Sequence, residues 1–167
     1  MQPQLLGPLY QWIPAELRYV PNTAVVDPQG NIISPGKLRP TQAFDYNADF
    51  VGVFVLGAGA TVTVPVQIQQ DSDFLILSAT KVATDAAQTT LVPFLPAVVL
   101  LTDTGSGRQI MDRPTHVESY FGTGELPRVL DRPYFIRAAS TLNVTLQNLD
   151  PANARVVRVS FHGAKVF

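Results

Sequence analysis

Asp103-Thr104-Gly105-Ser106 carries the residue types with the sharpest chemical meaning in this chain of 167 residues. An aspartate presented on such a loop can activate water when a second aspartate shares its proton. The chain has one copy of the loop, so the pair would need two copies of the chain. The plainer reading is a tight turn between strands, where Asp and Gly are in demand. Asp71, Asp73 and Asp49 are candidate oxygen ligands for calcium, but they lack the spacing and closing Glu of a calcium loop. They read as a solvated turn. His116 and His162 are the histidines. A general base needs a nucleophile or acid held beside it, and no neighbour in sequence brackets either one. Both read as surface or interface residues. Gly57-Ala-Gly-Ala60 and Gly122-Thr-Gly124 lack the following helix and Lys-Ser/Thr of a phosphate loop, and read as tight turns.

The elements that must hold these residues are short strands. In Thr61–Gln69, Val62, Val64, Val66 and Ile68 alternate with polar partners. Successive side chains of a strand point to opposite faces, so this pattern buries one face and wets the other. Pro65 places that strand at a sheet edge or at a bulge. Leu142, Val144 and Leu146 alternate in the same way, as do Val157, Val159 and Phe161. Asn148–Asn153 separates these two runs with turn-forming types, and the pair reads as an antiparallel hairpin that closes a sheet. Phe50–Leu56 reads as a strand covered on both faces. Phe74–Val82 and Val98–Leu101 read as further strands. Gln109–Met111 should pair back on the latter. Thr115–Tyr120 and Tyr134–Arg137 complete the set, with Ala83–Thr90 a loop or short helix. About eight short strands with regular turn signals define an all-β protein, an antiparallel sandwich of jelly-roll type.

Residues 1–40 form a different region, an extended Pro-rich arm before a sandwich domain over 41–167. Half of the fourteen prolines fall there: Pro3, Pro8, Pro14, Pro21, Pro28, Pro35 and Pro40. Each removes a backbone donor and excludes a long helix. Ala15–Tyr19 fits one helical turn, and Val26–Ile32 a turn between two short strands. Leu9, Tyr10, Trp12, Ile13 and Tyr19 give the arm apolar and aromatic surface suited to an interface.

Composition narrows the function. Charged residues make up 15 % of the chain and the net charge is −1. No basic face can be assembled, which argues against nucleic acid as a partner. So few charges leave much neutral surface and favour assembly. The absence of cysteine excludes disulfides and thiol chemistry. The opening residues lack the pattern of a secretory signal, and Phe50–Val62 is too short and glycine-rich to span a membrane. The expectation is synthesis in a cytoplasm, with no membrane partner, cofactor or metal.

Several segments together resemble a type of β-sandwich protein of tailed-bacteriophage virions. They are Asp49–Gln69, Asp71–Leu75, Asp103–Arg108, Tyr120–Pro127 and Arg132–Phe167, the last with Pro133-Tyr-Phe-Ile136 and Phe161-His-Gly-Ala-Lys165. The resemblance covers residues 44–167. It implies a non-enzymatic virion structural protein, a decoration or cement protein that binds the major capsid protein or another virion protein and stabilises the shell. It also implies a homo-oligomer, with a trimer as one form. A neck, tail or fibre component is an alternative, as is a jelly-roll module binding carbohydrate or a receptor. The Asp103 loop is itself similar to that of aspartic proteases, and a dimeric enzyme of that class is the remote alternative. Against it, Thr102 stands where those proteases have an apolar residue, and no apolar-apolar-Gly segment follows Gly107.

Overall fold

The structure, a computed structural model, describes residues 41–167 and the backbone of five short strands within residues 1–40. The other residues of that arm, all its side chains and those of Arg108, Asp131 and Arg132 lie outside the description. The chain divides into two compact units, 1–42 with 165–167, and 43–164. In the first unit, β1 (Gln4–Leu5) pairs with β4 (Val25–Val26), and β4 pairs with β5 (Ile32–Ser34), both antiparallel. β4 and β5 are the two short strands that flank the turn expected at Val26–Ile32, whose residues 27–31 lie outside the described residues. β2 (Tyr10–Ile13) pairs with β3 (Arg18–Pro21). Arg18 and Tyr19, expected to end a helical turn, are extended instead, because they form ladder partners with Ile13 and Trp12.

The second unit is an antiparallel β-sandwich. One sheet has the order β10-β9-β13-β7, with β11 also on β9. Its strands are β7 (Thr61–Gln67), β9 (Ala97–Asp103), β10 (Arg108–Gln109), β11 (Thr115–His116) and β13 (Thr141–Asn148). The other has the order β12-β8-β14-β6, built from β6 (Thr41–Phe50), β8 (Asp73–Asp85), β12 (Arg128–Ile136) and β14 (Arg155–Val166). A four-residue helix, α1 (Val117–Tyr120), follows β11. The core lies between the sheets. Val64, Val66, Val99, Leu101, Val144 and Leu146 from the first meet Phe50, Phe74, Ile76, Val157, Val159 and Phe161 from the second. β7 lies at the edge that Pro65 predicts, and β10 pairs back on β9 as expected.

Residues 141–162 do not form the expected hairpin. β13 pairs with β7 and β9, while β14 lies inside the opposite sheet between β8 and β6. Their connection crosses the sandwich, so neither strand closes an edge. Asn148, buried at the crossing, determines the path. Its Nδ2 donates to Gly57 O at 3.0 Å and Asn153 O at 2.8 Å, and its Oδ1 accepts from Asp150 N at 3.0 Å. Asp150 then accepts from the backbone of Ala152 and Asn153, the Asn153 side chain and Arg155. The Ala152 N–H, followed by the Asn153 amide and the other bonds, holds the Asp150 carboxyl below its ordinary pKa. That contribution is complete above the ordinary carboxylate value and is lost as pH falls through the lowered one. Asn148→Ala is expected to cost about 2–4 kcal/mol, since two carbonyls and one N–H in part-buried bonds lose a partner. Urea unfolding measures it, and a cost below about 1 kcal/mol would contradict this role.

Three further expectations change. Phe50–Leu56 is not one covered strand: β6 stops at Phe50 and a 3-10 turn occupies Gly52–Phe54. Gly52 has φ 60°, a left-handed conformation that ends the extended run, and Val53 is left 92 % exposed. Thr115–Tyr120 is a strand only at Thr115–His116 and then turns into α1. The region expected as a loop from Ala83 begins as strand, since β8 continues to Asp85.

Candidate functional site

The outward face of the β12-β8-β14-β6 sheet holds a polar ladder that the sequence does not reveal. On β14, Arg158, Ser160 and His162 alternate with the inward Val157, Val159 and Phe161. On β6, Asp49, Asn47 and Asp45 stand opposite them. His162 Nδ1 lies 3.0 Å from Asp45 Oδ1. Ser160 Oγ donates to Asn47 Oδ1 at 2.6 Å, and Arg158 lies 3.7 Å from Asp49. On its other side, His162 Nε2 meets Thr80 Oγ1 of β8 at 2.9 Å. With Nδ1–H donating to Asp45, the neutral ring accepts the Thr80 hydroxyl proton at Nε2. Carboxylate, imidazole and hydroxyl thus stand in the order used to activate a nucleophile. The next two rungs repeat the pairing without the imidazole, which is how cross-strand pairs stabilise a sheet. None of the three clefts described below is lined by Asp45, His162 or Thr80.

The Asp103 loop closes on itself. Asp103 is 2 % exposed; its Oδ1 accepts from Gly105 N at 2.9 Å and its Oδ2 from Ser106 Oγ at 2.6 Å. Gly107, at φ 65°, completes the turn. The turn reading therefore accounts for both carboxylate oxygens. Asp103, Gly105 and Ser106 nevertheless line a cleft of about 450 Å³ with Tyr134, Phe135 and Arg137. Nearby in the sandwich, burial, with a smaller effect from Tyr134, pushes the Tyr120 phenol up to about 12.

A second cleft, also about 450 Å³, is apolar. Val82, Ala83, Leu91, Val92 and Pro93 form its walls with Lys81 and Thr123–Glu125. Leu91 is 68 % exposed, and Leu126, next along the chain from Glu125, is 78 % exposed. The loop that presents Leu91 is ordered by Asp85, whose carboxylate accepts from Thr89 N at 2.8 Å and Thr89 Oγ1 at 2.7 Å. Those bonds, the Thr89 side chain first, lower the Asp85 pKa. The Lys81 ammonium is directed inward and meets Glu118 Oε1 of α1 at 2.8 Å. The same oxygen accepts from Leu95 N at 2.8 Å. A smaller cleft of about 140 Å³ lies among Val82, Thr84, Gln88, Val156 and Arg158.

The remaining sequence candidates do not converge. Asp71 accepts from Ser72 Oγ, Asp73 from Ala138 N, and Asp49 faces Arg158. Among the described residues no three His, Asp or Glu side chains form a group able to hold a metal. His116 is exposed at the start of α1. The side chains of Leu9, Tyr10, Trp12, Ile13 and Tyr19 lie outside the described residues. The sequence reading missed the bracketing of His162. Its signal was present only as two alternating polar rows, Asp45-Asn47-Asp49 and Arg158-Ser160-His162, whose pairing needs the sheet order.

No known family model matches the chain. No curated protein matches it either. Among solved structures, it is similar to part of dimeric latent PorU from Porphyromonas gingivalis, at 10 % identity and a TM-score of 0.36. The match covers 77 % of this chain and 13 % of that one, so this chain spans a small fraction of PorU's length.

Proposed function

We propose that the protein is a non-enzymatic structural component of a tailed-bacteriophage particle, a decoration or cement protein that binds capsid subunits and stabilises the shell. A neck, tail or fibre position is the alternative placement. The observation that carries the reading is the exposed apolar surface around the Leu91 cleft. Val82 and Leu91 present large apolar side chains there instead of burying them, and Leu126, which follows the lining residue Glu125, is exposed as well. Exposed apolar groups gathered at a groove favour protein contact, and monomeric proteins seldom leave large patches of them in water. The low charge of the chain and the order and pattern of segments 44–167 support the same role. Asp85 prepays part of the ordering cost of the loop that carries Leu91. Repeated copies on a lattice make modest single contacts strong in sum.

Mass spectrometry of purified particles is expected to find the protein at a fixed copy number. Leu91→Asp with Leu126→Asp is expected to fold normally, because both side chains are in water, and to bind particles lacking the native protein at least about tenfold more weakly. Absence of the protein from the particle, or unchanged binding by the folded double variant, overturns the proposal.

A further inference from the structure

We infer that the Asp103 cleft is a binding site for a neutral saccharide ring, a role separate from particle assembly. Its volume of about 450 Å³ falls among clefts that hold small ligands. The distribution of donors and acceptors selects the ligand class. Ser106 gives its proton to Asp103 Oδ2, so its oxygen is left to accept. Arg137 offers several N–H donors, forms no ion pair among the described residues, and is an exposed residue of the cleft lining. One wall therefore accepts and another donates. A hydroxyl does both, and adjacent hydroxyls on one ring can engage both walls.

Charge narrows the class further. Among the described lining residues Asp103 and Arg137 cancel, so a free anion would gain from the guanidinium and lose against the carboxylate. A neutral polyol has no such conflict. Tyr134 and Phe135 are among the residues that line the cleft; successive side chains of a strand point to opposite faces, so one of the two rings can meet a ligand, and the negative face of such a ring attracts the polarised C–H bonds of a sugar. The Asp103 turn is prebuilt by its bonds to Gly105 and Ser106, so the acceptor wall needs little ordering when ligand enters.

The test is saturation-transfer and chemical-shift NMR on the full chain with glucose, galactose, mannose, rhamnose, N-acetylglucosamine and galacturonate as probes. At least one neutral sugar is expected to bind with shifts at Ser106, Phe135 and Arg137. Arg137→Ala is expected to weaken it about tenfold, and Ser106→Ala to weaken it less. Arg113→Ala, at an exposed arginine paired with its neighbour Asp112, is expected to leave binding unchanged. Failure of every neutral sugar at millimolar concentration, binding of galacturonate alone, or equal binding by folded Arg137→Ala overturns the inference.

Discussion

Gly163→Ala is expected to destabilise the sandwich by more than about 4 kcal/mol, or to prevent folding. The cause is space. A Cβ on Gly163 would lie 1.9 Å from the carbonyl oxygen of Leu75 and 2.9 Å from its carbon, with Phe74 Cζ at 3.0 Å. A flexible side chain could move aside; the backbone of a neighbouring strand cannot, because β8 is held between β12 and β14. Glycine within a strand often marks such a close approach. At this chain length the loss corresponds to a fall in Tm of roughly 8–16 °C. Gly124→Ala is the control, since a Cβ there meets nothing within 4 Å, and should shift stability by less than about 0.5 kcal/mol. Thermal unfolding of the two variants decides it: equal melting would mean that β14 and β8 are not packed as closely as described.

Glu118→Ala carries the second large effect, about 3–5 kcal/mol of destabilisation. The Lys81 side chain is 3 % exposed and Glu118 28 %. Removing the carboxylate leaves a buried ammonium without its counter-charge and Leu95 N–H without an acceptor. The asymmetry of exposure orders a series. Glu118→Gln keeps an acceptor for Leu95 but loses the charge, so it costs less than Glu118→Ala. Lys81→Met removes the buried charge and leaves Glu118 with water and Leu95, so it costs least, in keeping with the high penalty of an orphaned buried ion. Urea midpoints of the three variants test the order. Lys81→Met being the most damaging would overturn the account.

Lys81 also shows where local pattern and tertiary structure part. On β8, Phe74 and Ile76 line the core, and further along Ala79 and Ala83 do. The inward parity therefore changes between positions 76 and 79, close to the register shift in the pairing with β12. The extra residues of that shift lie in β12, between Val129 and Tyr134, but the change of parity on β8 itself turns every later side chain to the other face. It brings Lys81 inward to Glu118 and Thr80 outward to His162. Strict alternation along Phe74–Val82 gives no sign of it. The apolar run at Phe50–Leu56 failed for a related reason: apolar content suggested cover on two faces, while a single left-handed glycine ended the strand and exposed Val53.

The sequence by itself determined β7, β13 and β14 with their inward faces, because alternation, Pro and Gly act on backbone geometry within a few residues. Val64 and Val66, Val144 and Leu146, and Val157 and Val159 are buried as their period requires, and Pro65 sits on an edge strand because it has no proton for a ladder. Only the tertiary structure decided which strands are neighbours. A run with one apolar face buries it equally well beside β13 or across the core from it, so the local pattern left the hairpin and the crossing equivalent. Asn148, with its bonds to Gly57, Asn153 and Asp150, separates them. Because pairing is non-local, the same decision placed Asp45 and Thr80 on either side of His162, and Arg137 beside the loop of Asp103.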